Sequence, residues 1–172
     1  MGVFILVLAG VLAAHIYGLR MFQANQTTLN ATGWSRKTFG QMADEVRACS
    51  SVLVGNVTNG NFVGLLDGET QEGTGLMIYP TTNNSSFIVY FVNPADQTFR
   101  RATDLAGSAI ILAGTVTNTM AFTAQDLLGN VLTNSLNNRV IHLALDFYQP
   151  GSFMQDPFNY KLETSVTRRA LQ

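Results

Sequence analysis

Three patterns of apolar and polar positions succeed one another along the chain. Gly2 to Ala14 is apolar without a break (GVFILVLAGVLAA), His15 interrupts it, and Ile16 to Leu19 continue it, with Arg20 the first charged side chain. At about 1.5 Å of helical rise per residue, Gly2–Leu19 reaches roughly 27 Å, just short of a hydrocarbon core of about 30 Å. The second pattern is helical: Phe39, Met42, Val46, Cys49 and Leu53 recur at spacings of three and four, which puts them on one stripe, while Lys37, Gln41, Asp44, Glu45 and Arg47 fall mostly off it. Between the two, Asn25 to Ser35 (NQTTLNATGWS) is polar, contains Gly33 and has low helix propensity, which predicts a weakened or bent stretch of one helix and not a boundary.

After Ser51 the period changes to two. The segment from Gly55 to Gly75 holds six glycines and reads as an irregular loop with one short strand around Phe62. Strands are predicted at Leu76–Tyr79, Phe87–Val92, Thr98–Thr103, Ala109–Leu112, Val116–Ala124, Val140–Tyr148 and Tyr160–Arg169. In the last two, Ile141, Leu143, Leu145 and Phe147, and then Tyr160, Leu162, Thr164 and Val166, alternate with mostly polar neighbours, the mark of an antiparallel sheet with one face open to water. Asn93-Pro94-Ala95-Asp96, Asp104–Ser108 and Leu128-Gly129-Asn130 carry turn chemistry. The expected fold is α+β, one long helix whose amphipathic half covers the apolar face of one antiparallel sheet. Its parts are residues 1–19, a hydrophobic segment for membrane or helix bundle; 20–53, the amphipathic continuation; and 54–172, loop and sheet.

The opening run admits three readings. A cleaved secretory signal needs a basic stretch before the apolar one and a small-residue cleavage site after it, and nothing basic precedes Gly2 here. A buried core helix would be apolar on every face. A membrane anchor passing directly into a water-facing helix fits the pattern best. Its candidate membrane and helix-assembly residues are Val3, Phe4, Ile5, Leu6, Val7 and Leu8 together with Gly10, Ala14 and Gly18, the last three in a small-xxx-small register that lets helix backbones approach. Phe39, Met42, Val46, Cys49 and Leu53 are the expected helix-to-sheet contacts.

Composition narrows the function more than it names one. The 172 residues carry 10 Lys+Arg against 11 Asp+Glu, and only 12% are charged, so the clustered cations of a nucleic-acid surface are not expected. Cys49 is the single cysteine and His15 and His142 the only histidines, which excludes an intrachain disulfide and any multi-cysteine zinc site. Asp67-Gly68-Glu69 lacks the repeated acidic positions of a calcium loop, and Gly73-Thr74-Gly75 is too short for a phosphate cradle and has no following Lys. Ser50-Ser51 has no neighbouring base, and Arg168-Arg169 reads as the solvated end of a strand. No catalytic constellation, cofactor site, metal site or small-molecule substrate site is expected.

The order of parts resembles the bacterial type IV pilin and type II secretion pseudopilin superfamily. From Ile88 onward the resemblance is to PilW-type minor pilins and J-subunit pseudopilins. IVYFVNPADQTFRRAT resembles their apolar hairpin, VTNTMAFTAQDLLGNVLTN and RVIHLALDFY their two linked strands, and YKLETSVTRRAL their final strand. The resemblance implies a non-enzymatic structural subunit, single-pass in the bacterial inner membrane with its C-terminal domain periplasmic or extracellular. Its partners would be the lipid bilayer and other pilin or pseudopilin subunits through the N-terminal helix. Such subunits begin with a basic leader ending in Gly and an acidic residue early in the helix; GVFILVLAGVLAAHIYGLRMF instead resembles the middle and end of that helix, so the expected start lies upstream of Met1. The superfamily's common C-terminal disulfide cannot form with Cys49 alone. The alternative expectation is a membrane-tethered periplasmic or cell-surface β-domain that binds a ligand and does not polymerise.

Overall fold

The structure, a computed structural model, describes residues 2–83, 85–104, 107–135, 139–149 and 157–168. It is α+β. One helix, α1 (Gly2–Ala48), precedes ten strands: β1 (Ser51–Thr58), β2 (Asn61–Gly64), β3 (Glu72–Gly73), β4 (Gly75–Tyr79), β5 (Ile88–Asn93), β6 (Thr98–Ala102), β7 (Ile110–Ala113), β8 (Phe122–Gln125), β9 (Val140–Gln149) and β10 (Phe158–Thr167). Helical geometry runs through Gly33 without interruption. The predicted strands from Leu76 to Leu112 and the two closing ones are present within a residue or two at each described end, while Arg169 lies outside the described residues.

Several expectations need correction. The first concerns the end of the helix. It stops at Ala48 and not at residue 53, because Val52 and Val54 turn inward as alternate positions of β1, and β-branched side chains favour the pleated conformation. Leu53 therefore stands half-exposed on a strand, opposite Met77, and is not on the helical stripe. The second concerns the glycine-rich segment, which is ordered: β1 and β2 form a hairpin closed by Asn59 and Gly60 at φ 52° and 78°, the two positive values that an Asn-Gly hairpin turn supplies. In the predicted strand Val116–Ala124, only Phe122–Gln125 is regular, and Val116 makes a single bridge to Phe147.

The third correction is the architecture. Two antiparallel sheets form, six-stranded in the order β2-β1-β4-β5-β6-β7 and four-stranded in the order β10-β9-β8-β3. What covers the apolar face of each is the other sheet. Val54, Leu76, Ile78, Tyr90, Val92 and Phe99 of the first share one buried core with Phe122, Ile141, Leu143, Leu145 and Phe147 of the second. Phe99 and Phe122 meet across it with ring centroids 6.1 Å apart.

The two sides of this sandwich are closed differently. On one side a single extended segment changes sheets: β3 pairs with β8, and two residues later β4 pairs with β1. Thr74, at the crossing, donates its N–H to Asn56 Oδ1 (3.1 Å), and its hydroxyl accepts from Val57 N–H (2.9 Å). The backbones touch here, since a side-chain carbon on Gly73 would stand 2.2 Å from the carbonyl oxygen of Gly55. On the other side the outermost strands are β7 and β10, and the C-terminal part of α1 lies against both. The helix thus plugs the open side of a sandwich and shields two strand edges that would otherwise present unpaired backbone groups. Met42, Val46 and Cys49 are fully buried in this seam, each worth about 1.5–3 kcal/mol of transfer free energy for the larger side chains.

The end of the head remote from the helix entry is held by two aspartates. Asp126 accepts from Leu128 N–H and Asn130 N–H (2.8 Å each), closing the turn after β8, and Asp67 accepts from Ser135 N–H (2.6 Å) and its hydroxyl (2.7 Å). These bonds favour the carboxylate and hold both groups below the usual 3.8. A folded-state pKa below the unfolded one contributes stability above the unfolded value, which is lost as pH falls through the folded one. Protection factors of the Leu128, Asn130 and Ser135 amides, taken against the unstructured rate at the same pH, are therefore expected to fall below pH 3.8, and Asp126→Ala to abolish that pH dependence at the first two. Protection unchanged by acid would show that the carboxylates do not hold these loops.

Candidate functional site

The candidate site is the helix itself. Its first part, Gly2–Phe22, is 21 residues with mean hydropathy 2.2, and among the described residues none of it is buried against the rest of the chain. That length corresponds to about 31 Å of helix, enough to cross a hydrocarbon core of about 30 Å by length and composition. The apolar stretch runs three residues beyond Leu19 because Met21 and Phe22 extend it past Arg20. Val3, Phe4, Val7 and Leu8 are exposed, from 47% for Leu8 to 78% for Val3. The side chains of Ile5 and Leu6 lie outside the described residues. Gly10, Ala14 and Gly18 are exposed at intervals of four, which puts them on one flank of the helix; nothing lies within 4 Å of where a side chain would stand on either glycine. This exposure is inconsistent with a core helix. An apolar rod with a flank of small residues is suited to lipid or to another helix, and in water it would drive association.

The other part of the helix belongs to the head. Phe39 is half-buried, while Met42, Val46 and Cys49 are at 0% exposure. Cys49 lies one residue past the helix end; its thiol donates to Val46 O (3.1 Å), and burial pushes its pKa up, so it serves as a small apolar group and not a nucleophile. Among the expected packing residues only Leu53 is misplaced, for the reason given above.

A polar lock on the helix was not anticipated from sequence. Glu45 accepts from Tyr90 O–H of β5 (2.7 Å) and from Arg101 Nη2 of β6 (2.8 Å), while Gln41 Nε2 donates to it from one turn earlier (3.0 Å). The Arg101 and Glu45 side chains are only 17% and 19% exposed, and the guanidinium carbon sits 5.9 Å from the Tyr90 ring centroid. Burial, followed by the Glu45 carboxylate, raises the Tyr90 hydroxyl far above its usual pKa of 10.0. At the far end of the seam Arg168 donates to the carbonyl of Ser50. Where α1 leaves the head, Phe39, Ile111, Leu112, Leu145, Phe147 and Tyr160 line an apolar cleft of about 350 Å³.

The remaining sequence candidates stay apart. His142 lies on the outer face of β9, opposite Ser165 and Thr123, and Gly73-Thr74-Gly75 is the sheet-to-sheet crossing. Among the described residues no group of three His, Cys, Asp or Glu side chains is placed to hold a metal ion. Comparison with family models, with curated proteins and with solved structures returned no match.

Proposed function

We propose that the chain is a non-enzymatic structural subunit of the type IV pilin or type II secretion pseudopilin kind, anchored in the bacterial inner membrane and packed into an assembly through its N-terminal helix. One observation carries this reading: a single unbroken helix is strongly apolar over Gly2–Phe22, with its described side chains exposed, yet forms part of the head's core from Phe39 to Val46. A helix built in this way holds a folded domain at a fixed distance from lipid, or from a bundle of like helices, with no hinge between. The exchange of lipid contacts for helix contacts would use the flank of Gly10, Ala14 and Gly18, where backbones can approach closely.

Two measurements test the reading together. The full-length chain is expected in the membrane fraction and resistant to alkaline extraction, and a chain lacking residues 1–19 is expected soluble and folded. Gly10→Cys chains in the same membranes are expected to cross-link to one another. A full-length chain that is soluble and monomeric would sink the proposal. Membrane residence without helix cross-linking would favour the tethered, non-polymerising β-domain instead.

A further inference from the structure

His15 is the one strongly polar side chain between Gly2 and Arg20. It stands five residues inside Arg20, about 7.5 Å deeper along the helix. Helical side chains lean toward the N-terminus, so the imidazole tilts away from the Arg20 end of the apolar stretch and not back toward it. His15 is exposed, and the side chains one turn away on its own side, Val11, Leu12, Gly18 and Leu19, offer it neither donor nor acceptor. Tyr17 and Arg20 leave the helix on other sides, about 160° and 140° round the axis. A polar ring alone in hydrocarbon is costly, so its hydrogen bond is left to a neighbouring helix.

The direction His15 faces is set by the rest of the helix. Helical geometry is continuous from Gly2 to Ala48, and Met42 is buried against the head. His15 and Met42 are 27 residues apart, about seven and a half turns at 3.6 residues each, so His15 is turned away from the head. Two helices joined on this side carry their heads outward, on opposite sides of the pair. Phe4, Leu8, Val11, Gly18 and Phe22 share that side with His15 at alternating spacings of four and three, the seam spacing of parallel helices, and all are exposed.

We propose that His15 of one copy pairs with His15 of a second copy inside the membrane, and so selects the face and the height at which their helices meet. This rests on reading the chain as a membrane-anchored subunit that packs through its helix, and names a contact of that helix. The occupant follows from depth and chemistry. Copies of one unhinged helix in one membrane hold His15 at the same height, so a parallel neighbour brings its own ring opposite. A neutral imidazole carries one donor and one acceptor, so two such rings can bond to each other. Gly18, one turn on, lets the backbones approach beside the pair. A hydrogen bond between helices in lipid is modest, so this one chooses the face while packing along the seam supplies most of the attraction.

The test uses the full-length chain in its membrane. Leu8→Cys stands about two turns before His15 on the same side, whereas Gly10→Cys lies about 140° round the axis and reads a different neighbour. Wild-type chain is the blank for oxidative cross-linking, because its single Cys49 is buried. Leu8→Cys is expected to give a disulfide-linked dimer of two copies. Adding His15→Leu is expected to lower its yield about threefold, while His15→Asn, which keeps a donor and an acceptor, retains most of it. No Leu8→Cys dimer in membranes where Gly10→Cys chains do cross-link would overturn the His15 contact and leave the helix reading standing. Absence of both products would overturn both. An unchanged yield with His15→Leu would show that the ring does not choose the face, and equal loss with His15→Leu and His15→Asn that its shape and not its hydrogen bond matters; either result overturns the proposal. A Leu8→Cys product of another mass would put a different chain opposite His15 and overturn it as well.

Discussion

Replacing Gly73 with alanine is expected to remove about 3 kcal/mol of stability, a large part of the roughly 5–15 kcal/mol that holds a typical domain folded. The added carbon would stand 2.2 Å from the Gly55 carbonyl oxygen and 2.8 Å from its carbon. Both are backbone atoms of β1, so no side-chain rotation relieves the overlap, and β1 itself must shift at the point where the chain passes between sheets. The cause is space and not dihedral freedom, because Gly73 is not among the glycines with positive φ. Gly40→Ala gives the contrast. It sits in the helix with nothing within 4 Å of the new carbon, and alanine there is expected to add about 0.5–1 kcal/mol by helix propensity. Urea midpoints of the two variants should move in opposite directions. Equal midpoints would show that the crossing tolerates a side chain and that the close approach of β1 and β3 is not a constraint.

The second large effect is expected at Glu45. Glu45→Ala leaves Arg101 and the Tyr90 hydroxyl without their acceptor in a seam from which water is mostly excluded, at a cost of about 2–4 kcal/mol. Tyr90→Phe removes one donor and keeps the ring, so it should cost about 1 kcal/mol, and a double-mutant cycle with Glu45→Ala should show coupling. The alkaline limb reports the same network. Tyr90 holds its proton more tightly folded than unfolded, so its contribution is complete below the unfolded pKa of 10.0 and declines as pH rises above it. Stability measured from pH 9 to 11 should therefore fall less steeply in Tyr90→Phe than in the parent chain. Additive mutational effects and an unchanged alkaline slope would show that the three groups merely lie near one another.

How much of this was legible in the sequence depends on which signal each element carries. Strands β9 and β10 announce themselves because their side chains alternate between core and surface, a period no helix reproduces, whereas β4 and β5 are short apolar runs stopped by Pro80 and by Asn93-Pro94. β1 was hidden by coincidence: Cys49 and Leu53 prolong the helical spacing of Phe39, Met42 and Val46, while Val52 and Val54, the inward pair, stand between and beyond them. A sharper signal was present in Asn59-Gly60, which favours a tight hairpin and requires a strand on each side. The number of sheets was not legible at all, since alternation is the same whether a face is covered by a helix or by a second sheet. Only the meeting of Phe99 with Phe122 decides it, and those residues are 23 positions apart with nothing in either to mark the partner.

The candidate site divides in the same way. The apolar rod was plain from hydropathy, and its small-residue flank from spacing. The Glu45 lock was not, because a glutamate off the apolar stripe looks like any solvated position until Tyr90 and Arg101 are brought beside it from 45 and 56 residues away. Leu128 belongs to the turn read from Leu128-Gly129-Asn130, correctly as backbone, and its neighbour Leu127 carries no signal of its own. Their nearly complete exposure became visible only with the fold.

The way the helix closes the head has a mechanical consequence. Over Phe39 to Ser50 it runs alongside β10 in the same direction, from the Tyr160 end to the Arg168 end, so a pull on its N-terminus acts along the seam and not across it. Met42 and Val46 and the Glu45 bonds to Tyr90 and Arg101 then resist sliding together, in parallel, where a peeling force would break them one after another. Tension on the rod would be met by a high rupture force concentrated in one short displacement, and once the rod slipped free the sandwich would be left open between β7 and β10.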